Sequence, residues 1–211
     1  MFKSTKIIEL GSCAFRQPQA SSHCRFLHGY RLTAKFWFET DKLDHKNWVV
    51  DFGGLKGLKQ LLRNQFDHTT CISKEDPKMS LFKQLSDEGV CDLRIMDGVG
   101  IEKFAEYCYT VANEYVHELT DGRCRCSEVE VFEHEDNSAM FRAPRREDGL
   151  TFEEWRTKND IDKVKLEVKP TNKQKDVTRP PFAGKQGAPV GNKKQSNTWI
   201  DKGANKNTFG L

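Results

Sequence analysis

No run of apolar residues in this 211-residue sequence approaches the roughly 20 that a membrane helix requires. Trp48 to Val50 is typical of its longest stretches, and an integral membrane protein is excluded on that ground. The N-terminal MFKSTKIIEL lacks an apolar segment followed by a small-residue cleavage site, which argues against a secretory signal. Glycine-rich phosphate loops of the P-loop or dinucleotide type are also missing. Cysteine is present but without a framework. The seven (Cys13, Cys24, Cys71, Cys91, Cys108, Cys124, Cys126) are odd in number and scattered, and Cys124-x-Cys126 has no second pair to complete a zinc knuckle. With no export signal they read as reduced thiols of a cytoplasmic protein.

Acidic residues are scarce in one region only. From Lys169 onward nine Lys and Arg stand against two acids, a balance of +7, whereas the whole chain carries +3; the remainder is therefore −4. The body is mildly acidic and the basic charge belongs to a tail. Beyond Pro144 the composition shifts, and from Pro170 it is rich in Lys, Asn, Gln, Gly and Pro with almost no periodic apolar residues. Such a segment buries too little surface to offset its ordering entropy. The expected organisation is a folded domain over 1–144 and a basic, largely disordered extension over 145–211. The extension is either a solvated appendage or a docking arm for a partner, nucleic acid included.

Within the body, residues 5–14 and 29–40 read as strands. In the second, Tyr30, Leu32, Ala34, Phe36 and Phe38 share one face, against Arg31, Thr33, Lys35 and Glu39 with Trp37 on the other. WVVDF (48–52) resembles a strand end. Leu55, Leu58, Leu62 and Phe66 recur at helical spacing and predict a helix over 53–66 whose Lys56, Lys59 and Arg63 form a solvated face. Residues 67–90 read as loop with a short helix after Pro77, and 93–96 as a short strand. Ile101, Phe104, Ala105, Cys108, Ala112, Tyr115 and Leu119 mark a second long helix. Residues 124–134 alternate again, with 139–142 as a continuation. This order predicts an α+β domain: a four-stranded antiparallel sheet with two long helices on one face. Free sheet edges make pairing with further subunits an expectation.

Three places could carry chemistry. In SHCRFLHGY (22–30), Cys24 lies between His23 and Arg25, neighbours that favour a thiolate; it could equally be a small buried loop residue. Asp67-His68 follows the first helix, where the acid could orient and strengthen the imidazole as a base; alternatively both are helix-end polar groups meeting water. Glu133 continues the apolar face of Val129 and Val131, where a carboxylate suits a ligand with two parallel N–H donors, or is a solvated strand terminus.

Taken together, CRFLHGY (24–30), WVVDFGGLK (48–56), FDHT (66–69), VGIEKFAEY (99–107) and VEVFEH (129–134), in this order, resemble the 6-pyruvoyl-tetrahydropterin synthase / 6-carboxy-tetrahydropterin synthase family. The resemblance spans roughly residues 5–143. It implies the tunnelling fold (T-fold), assembly as hexamers with sites at subunit interfaces, and 7,8-dihydroneopterin triphosphate as substrate. The carboxy-type reaction leads toward 7-deazaguanine bases and queuosine, and the pyruvoyl type toward tetrahydrobiopterin. By resemblance, Cys24 is the acid or base on the substrate side chain. Asp67 and His68 relay a proton on the other side, and Glu133 grips the pterin ring. The family also implies a zinc ion held by three histidines, whose positions here carry Phe15, His28 and Tyr30. Phenylalanine has no lone pair to give, and a neutral tyrosine is a poor zinc ligand. Three outcomes stay open. Cys13 and His23 could re-form a metal site with His28, related proton transfers could run without metal, or a pterin-binding or assembly module could have lost the zinc-dependent reaction.

Overall fold

The computed structural model describes residues 1–142 together with Glu154, Thr157 and Lys158. The proposed boundary at 144 and nearly all of the extension lie outside the described residues.

Within residues 1–142, six strands and three α-helices follow in the order β1 (Phe2–Phe15), β2 (His28–Thr40), α1 (Lys56–Phe66), β3 (Thr69–Ser73), α2 (Met79–Asp87), β4 (Leu93–Met96), α3 (Ile101–Leu119), β5 (Arg125–His134) and β6 (Asn137–Phe141). The sheet order is β4-β3-β1-β2-β5-β6. The α+β class and the antiparallel pairing of β1, β2 and β5 are as expected. The rest differs from the four-stranded expectation: β3 pairs parallel to β1, and β4 parallel to β3, making a mixed sheet. Residues 139–142 do not continue β5. A turn at Glu135-Asp136 folds β6 back along it, with Val131 opposite Ala139. Trp48–Phe52 is not strand. The Asp44 Oδ1 accepts from the amides of Lys46 and Trp48 (2.9 and 2.8 Å), and Asp51 Oδ1 from that of Gly53 (2.8 Å), so local carboxylate turns take the backbone donors a ladder would need.

The alternation read in β2 is realised as far as Phe38, after which Glu39, read on the polar face, is buried instead. Leu32, Ala34, Phe36 and Phe38 are fully buried, while Arg31 is exposed and Thr33, Lys35 and Trp37 are half-buried. On α1, Leu58, Leu62 and Phe66 fall one turn apart and all face the core. On α3, Phe104 stands edge-on to Phe15 and Phe66, at 5.1 Å from each ring centre. Asn113 locks that helix to β5: its amide donates to the carbonyl of Cys126 (3.1 Å) and its oxygen accepts from the Cys126 amide (3.0 Å). A buried asparagine satisfied on both sides fixes helix register against the sheet.

Candidate functional site

Strand directions gather the chemistry at one end of the sheet. Pairing of Phe15 with His28 sets the end of β1 against the start of β2. Cys13 pairs with Thr69, so β3 begins there too. Thr33 opposite Phe132 brings the end of β5 to the same side. The loop bearing Cys24, the Asp67-His68 step and Glu133 therefore all leave the sheet at this end.

Asp67 and His68 meet as the spacing suggested. The ring Nδ1 of His68 lies 2.9 Å from Asp67 Oδ1. An ionised carboxylate only accepts, so Nδ1 carries the proton and Nε2 keeps its lone pair. The carboxyl of Asp67 is held below its usual range, first by its hydrogen bonds from Arg63 and then by the Ser12 amide and nearby positive charge, against a desolvation penalty. Arg63 reaches Oδ2 through both Nε (3.2 Å) and a terminal nitrogen; Ser12 N donates to Oδ1 (3.3 Å). Arg63 thus stays partly solvent-exposed on its helix face and also carries an ion pair, which its i,i+4 spacing to Asp67 signals. His68 adopts a left-handed backbone (φ 60°), its amide bonds the Ser12 carbonyl (2.7 Å), and its side chain is 86 % exposed. An oriented, solvent-facing imidazole is placed to exchange protons with a bound molecule.

Gly11 makes room for this pair. It follows an irregularity in the β1–β2 ladder after Glu9 and has φ 104°. A Cβ there would fall 2.2 Å from Asp67 Oδ1. No other residue accommodates both the backbone angle and the carboxylate.

Cys24 sits half-buried in a single 3-10 turn, His23–Arg25, capped by Ser22, whose Oγ accepts from the Cys24 amide (3.4 Å). The Cys24 carbonyl accepts from the Gln17 amide (2.9 Å), tying the loop to the segment just past β1. There Arg16 Nε lies 3.2 Å from the buried carboxylate of Asp76. Glu133 is half-buried at the point where the β5–β6 ladder slips between Phe132 and His134. A bulge re-aims the residue it carries.

The implied zinc does not fit the donors present. Phe15 is 1 % exposed, with its ring 4.6 Å from that of His28 and 6.2 Å from that of Tyr30. The Tyr30 ring is in turn 6.1 Å from His134, a neighbour that the sequence pattern did not single out. His28 Nδ1 donates to the Phe26 carbonyl (2.7 Å). Cys13 is buried in the core with Thr69 Oγ1 4.0 Å from its sulfur, and the same hydroxyl is 3.8 Å from Cys71. Cys71 is pushed well above the usual thiol range by Cys13 and by burial. His23 is exposed in the loop. Among the described residues, no three His, Cys, Asp or Glu side chains are grouped to hold a metal ion, the combination Cys13, His23 and His28 included.

Comparison with known proteins gives this arrangement its context. A family model, 6-pyruvoyl tetrahydropterin synthase, matches residues 9–144. The chain belongs to the 6-pyruvoyl tetrahydropterin synthase family. Within it, two curated relatives are 6-carboxy-5,6,7,8-tetrahydropterin synthases from Rickettsia conorii and Rickettsia felis. They are 32 % and 31 % identical over 80 residues, which is 37 % of this chain and 57 % of theirs. The chain thus spans just over half the length of these relatives. Among solved structures, an uncharacterized protein from Wolinella succinogenes superposes with a TM-score of 0.59 at 16 % identity, covering 68 % of this chain and 98 % of that one. A catalytic-residue variant of Plasmodium vivax 6-pyruvoyltetrahydropterin synthase gives 0.50 at 16 % identity, covering 68 % and 99 %. At such identities the superpositions establish the T-fold alone. Among the described residues, no helix is long and apolar enough to cross a membrane.

Proposed function

We propose that this synthase-family chain binds a pterin at the shared sheet end and acts as a lyase of the 6-carboxy-tetrahydropterin synthase type. Its substrate in this reading is 7,8-dihydroneopterin triphosphate, and the setting is a cytoplasmic pathway to 7-deazaguanine bases such as queuosine. The observation that carries the reading is the Asp67–His68 pair, oriented by Ser12 and Arg63 and open to solvent beside strand ends that also bear Cys24 and Glu133. The carboxylate of Glu133 accepts the ring's parallel N–H donors, which fixes the ring without consuming either proton-transfer group. Nε2 of His68, its ring held in place by Asp67, takes a proton from the substrate side chain or returns one. Cys24 serves the opposite side of that chain. The β4 and β6 edges are the sheet's two ends, with Ile95 and Met140 exposed on them, and pairing there with further copies, up to a hexamer, would close the site.

The donor set at the metal position favours a second reading, in which the pocket binds a pterin or supports assembly without turnover. A metal Lewis acid contributes several kcal/mol to polarising substrate oxygens. Incubation with 7,8-dihydroneopterin triphosphate, with product analysis and calorimetric pterin titration alongside, decides between them. Conversion supports the lyase, and binding without conversion supports the module. A folded protein that neither binds nor converts any pterin removes the lyase and the pterin-binding module, and leaves only a role in assembly.

A further inference from the structure

The rings of Phe15, His28 and Tyr30 form a triangle at the mouth of the β1–β2 hairpin, with centres 4.6, 5.7 and 6.2 Å apart. Zinc bonds an imidazole nitrogen at about 2.0–2.1 Å, which puts each ring centre roughly 3.2 Å from the ion and tetrahedrally arranged centres about 5 Å apart. The three spacings bracket that value, which also falls within the ordinary range of packed aromatic rings, and only His28 is an imidazole. Its Nδ1–H is spent on the Phe26 carbonyl, an arrangement that fixes the ring and leaves Nε2 as its single free lone pair. Phe15 closes the triangle with carbon only, backed by Phe104 at 5.1 Å. Register explains why the backbone keeps this shape. Phe15 and His28 are directly paired, Tyr30 is two residues on along the same face, and Gly29 lets the strands close: a Cβ there would sit 2.7 Å from the Cys13 carbonyl oxygen.

We infer that this hairpin retains the geometry of a three-imidazole zinc cradle while its side chains make an apolar ring cluster instead. The chain consequently holds no metal at this position, and Phe15→His with Tyr30→His rebuilds the centre. His28 is left as a hydrogen-bonding imidazole that meets its ligand through Nε2. The inference concerns the hairpin alone and does not rest on which pterin, if any, the pocket takes.

Metal content of the full-length protein tests it without any ligand. After equilibration with zinc and gel filtration, the wild-type chain should hold far less than one zinc per chain, and the double variant about one. Cobalt loading of the double variant should give the intense visible bands of a low-coordinate site, absent from wild type. Should the double variant fail to fold, Tyr30→His alone, at a half-buried position, should bind cobalt more weakly than a full cradle yet above wild type. Stoichiometric zinc in the wild type that disappears with His28→Ala overturns the inference. So does a folded double variant, or a folded Tyr30→His chain, that takes up no more metal than wild type.

Discussion

The two ends of the sheet treat charge in opposite ways. At the end where β2 finishes, Glu39 and Glu128 are buried, yet each is fully engaged. Glu39 pairs with Arg125 and with Lys3 (3.3 Å), and Glu128 with Lys3 (3.3 Å) and Arg142 (2.6 Å). The carboxyl of Glu128 is held below its normal range by Arg142 and Lys3, although burial pulls the other way. At the end where β2 begins, Asp76 and Asp67 are likewise paired, with Arg16 and Arg63, but other polar groups are turned outward and only partly engaged. His68 has one nitrogen bonded and the other free, and Glu133 rides a bulge. Buried charge with complete partners serves the fold; oriented polar groups with spare capacity can serve a ligand.

Substitutions at the two ends should separate these roles. The largest effect is expected from Cys24→Ala. Removing the proposed proton-transfer group should lower turnover about 10²- to 10⁴-fold, with the thermal midpoint within a degree or two of wild type, as read by steady-state kinetics and melting. A matching loss of stability would move Cys24 to the structural side of the comparison. Glu39→Ala should do the reverse. It leaves Lys3 and Arg125 without their shared acid and should destabilise by roughly 2–3 kcal/mol in urea titration, below the full cost of a broken buried pair because both cations are partly exposed. Pterin affinity should be unchanged. Gly11→Ala lies between. Its positive φ and the collision with Asp67 should cost about 1–3 kcal/mol and also reduce turnover by displacing the relay. If turnover survives, the position of Asp67 is not what activates His68.

The smallest effect concerns pH. The folded-state pKa of Asp67 is depressed, so its contribution to stability is present above the unfolded value of about 3.9 and fades as pH falls through the lower folded value. Asp67→Asn should therefore lower stability at neutral pH, converge with wild type once pH falls below the folded value, and so flatten part of the acid limb of the stability curve. An unaltered acid limb would show that the Arg63 and Ser12 contacts do not persist in solution.

Much of the fold was legible because its signals are periodic. The two-residue alternation of β2 and the four-residue spacing of Leu58, Leu62 and Phe66 each point to one structure. Thr69–Ser73 was not legible. Its first four residues are all buried, as a parallel strand covered on both faces should be, and TTCIS carries neither alternation nor a strongly apolar run. Trp48–Phe52 misled in the opposite sense, since its apolar residues promised a strand that two aspartate-centred turns replace. In the site, the adjacent Asp67 and His68 could be read, but what aims them could not. The slip after Glu9, the angle at Gly11 and the left-handed His68 are backbone events that leave only a glycine as a trace. The ring triangle was invisible for a related reason: the residue types announce a missing metal set, and only register reveals that its spacing survives.

The hydrogen bond from the His68 amide to Ser12 lies immediately before the first rung of the parallel ladder that seats β3 on β1. The segment that docks the outer half of the sheet is thus the one that delivers the imidazole. On this flank, annealing of the sheet and placement of the proposed base are a single step. A chain frayed at β3 would also be a chain with His68 misplaced, and slow deuterium uptake at the amide of His68 would report on both at once.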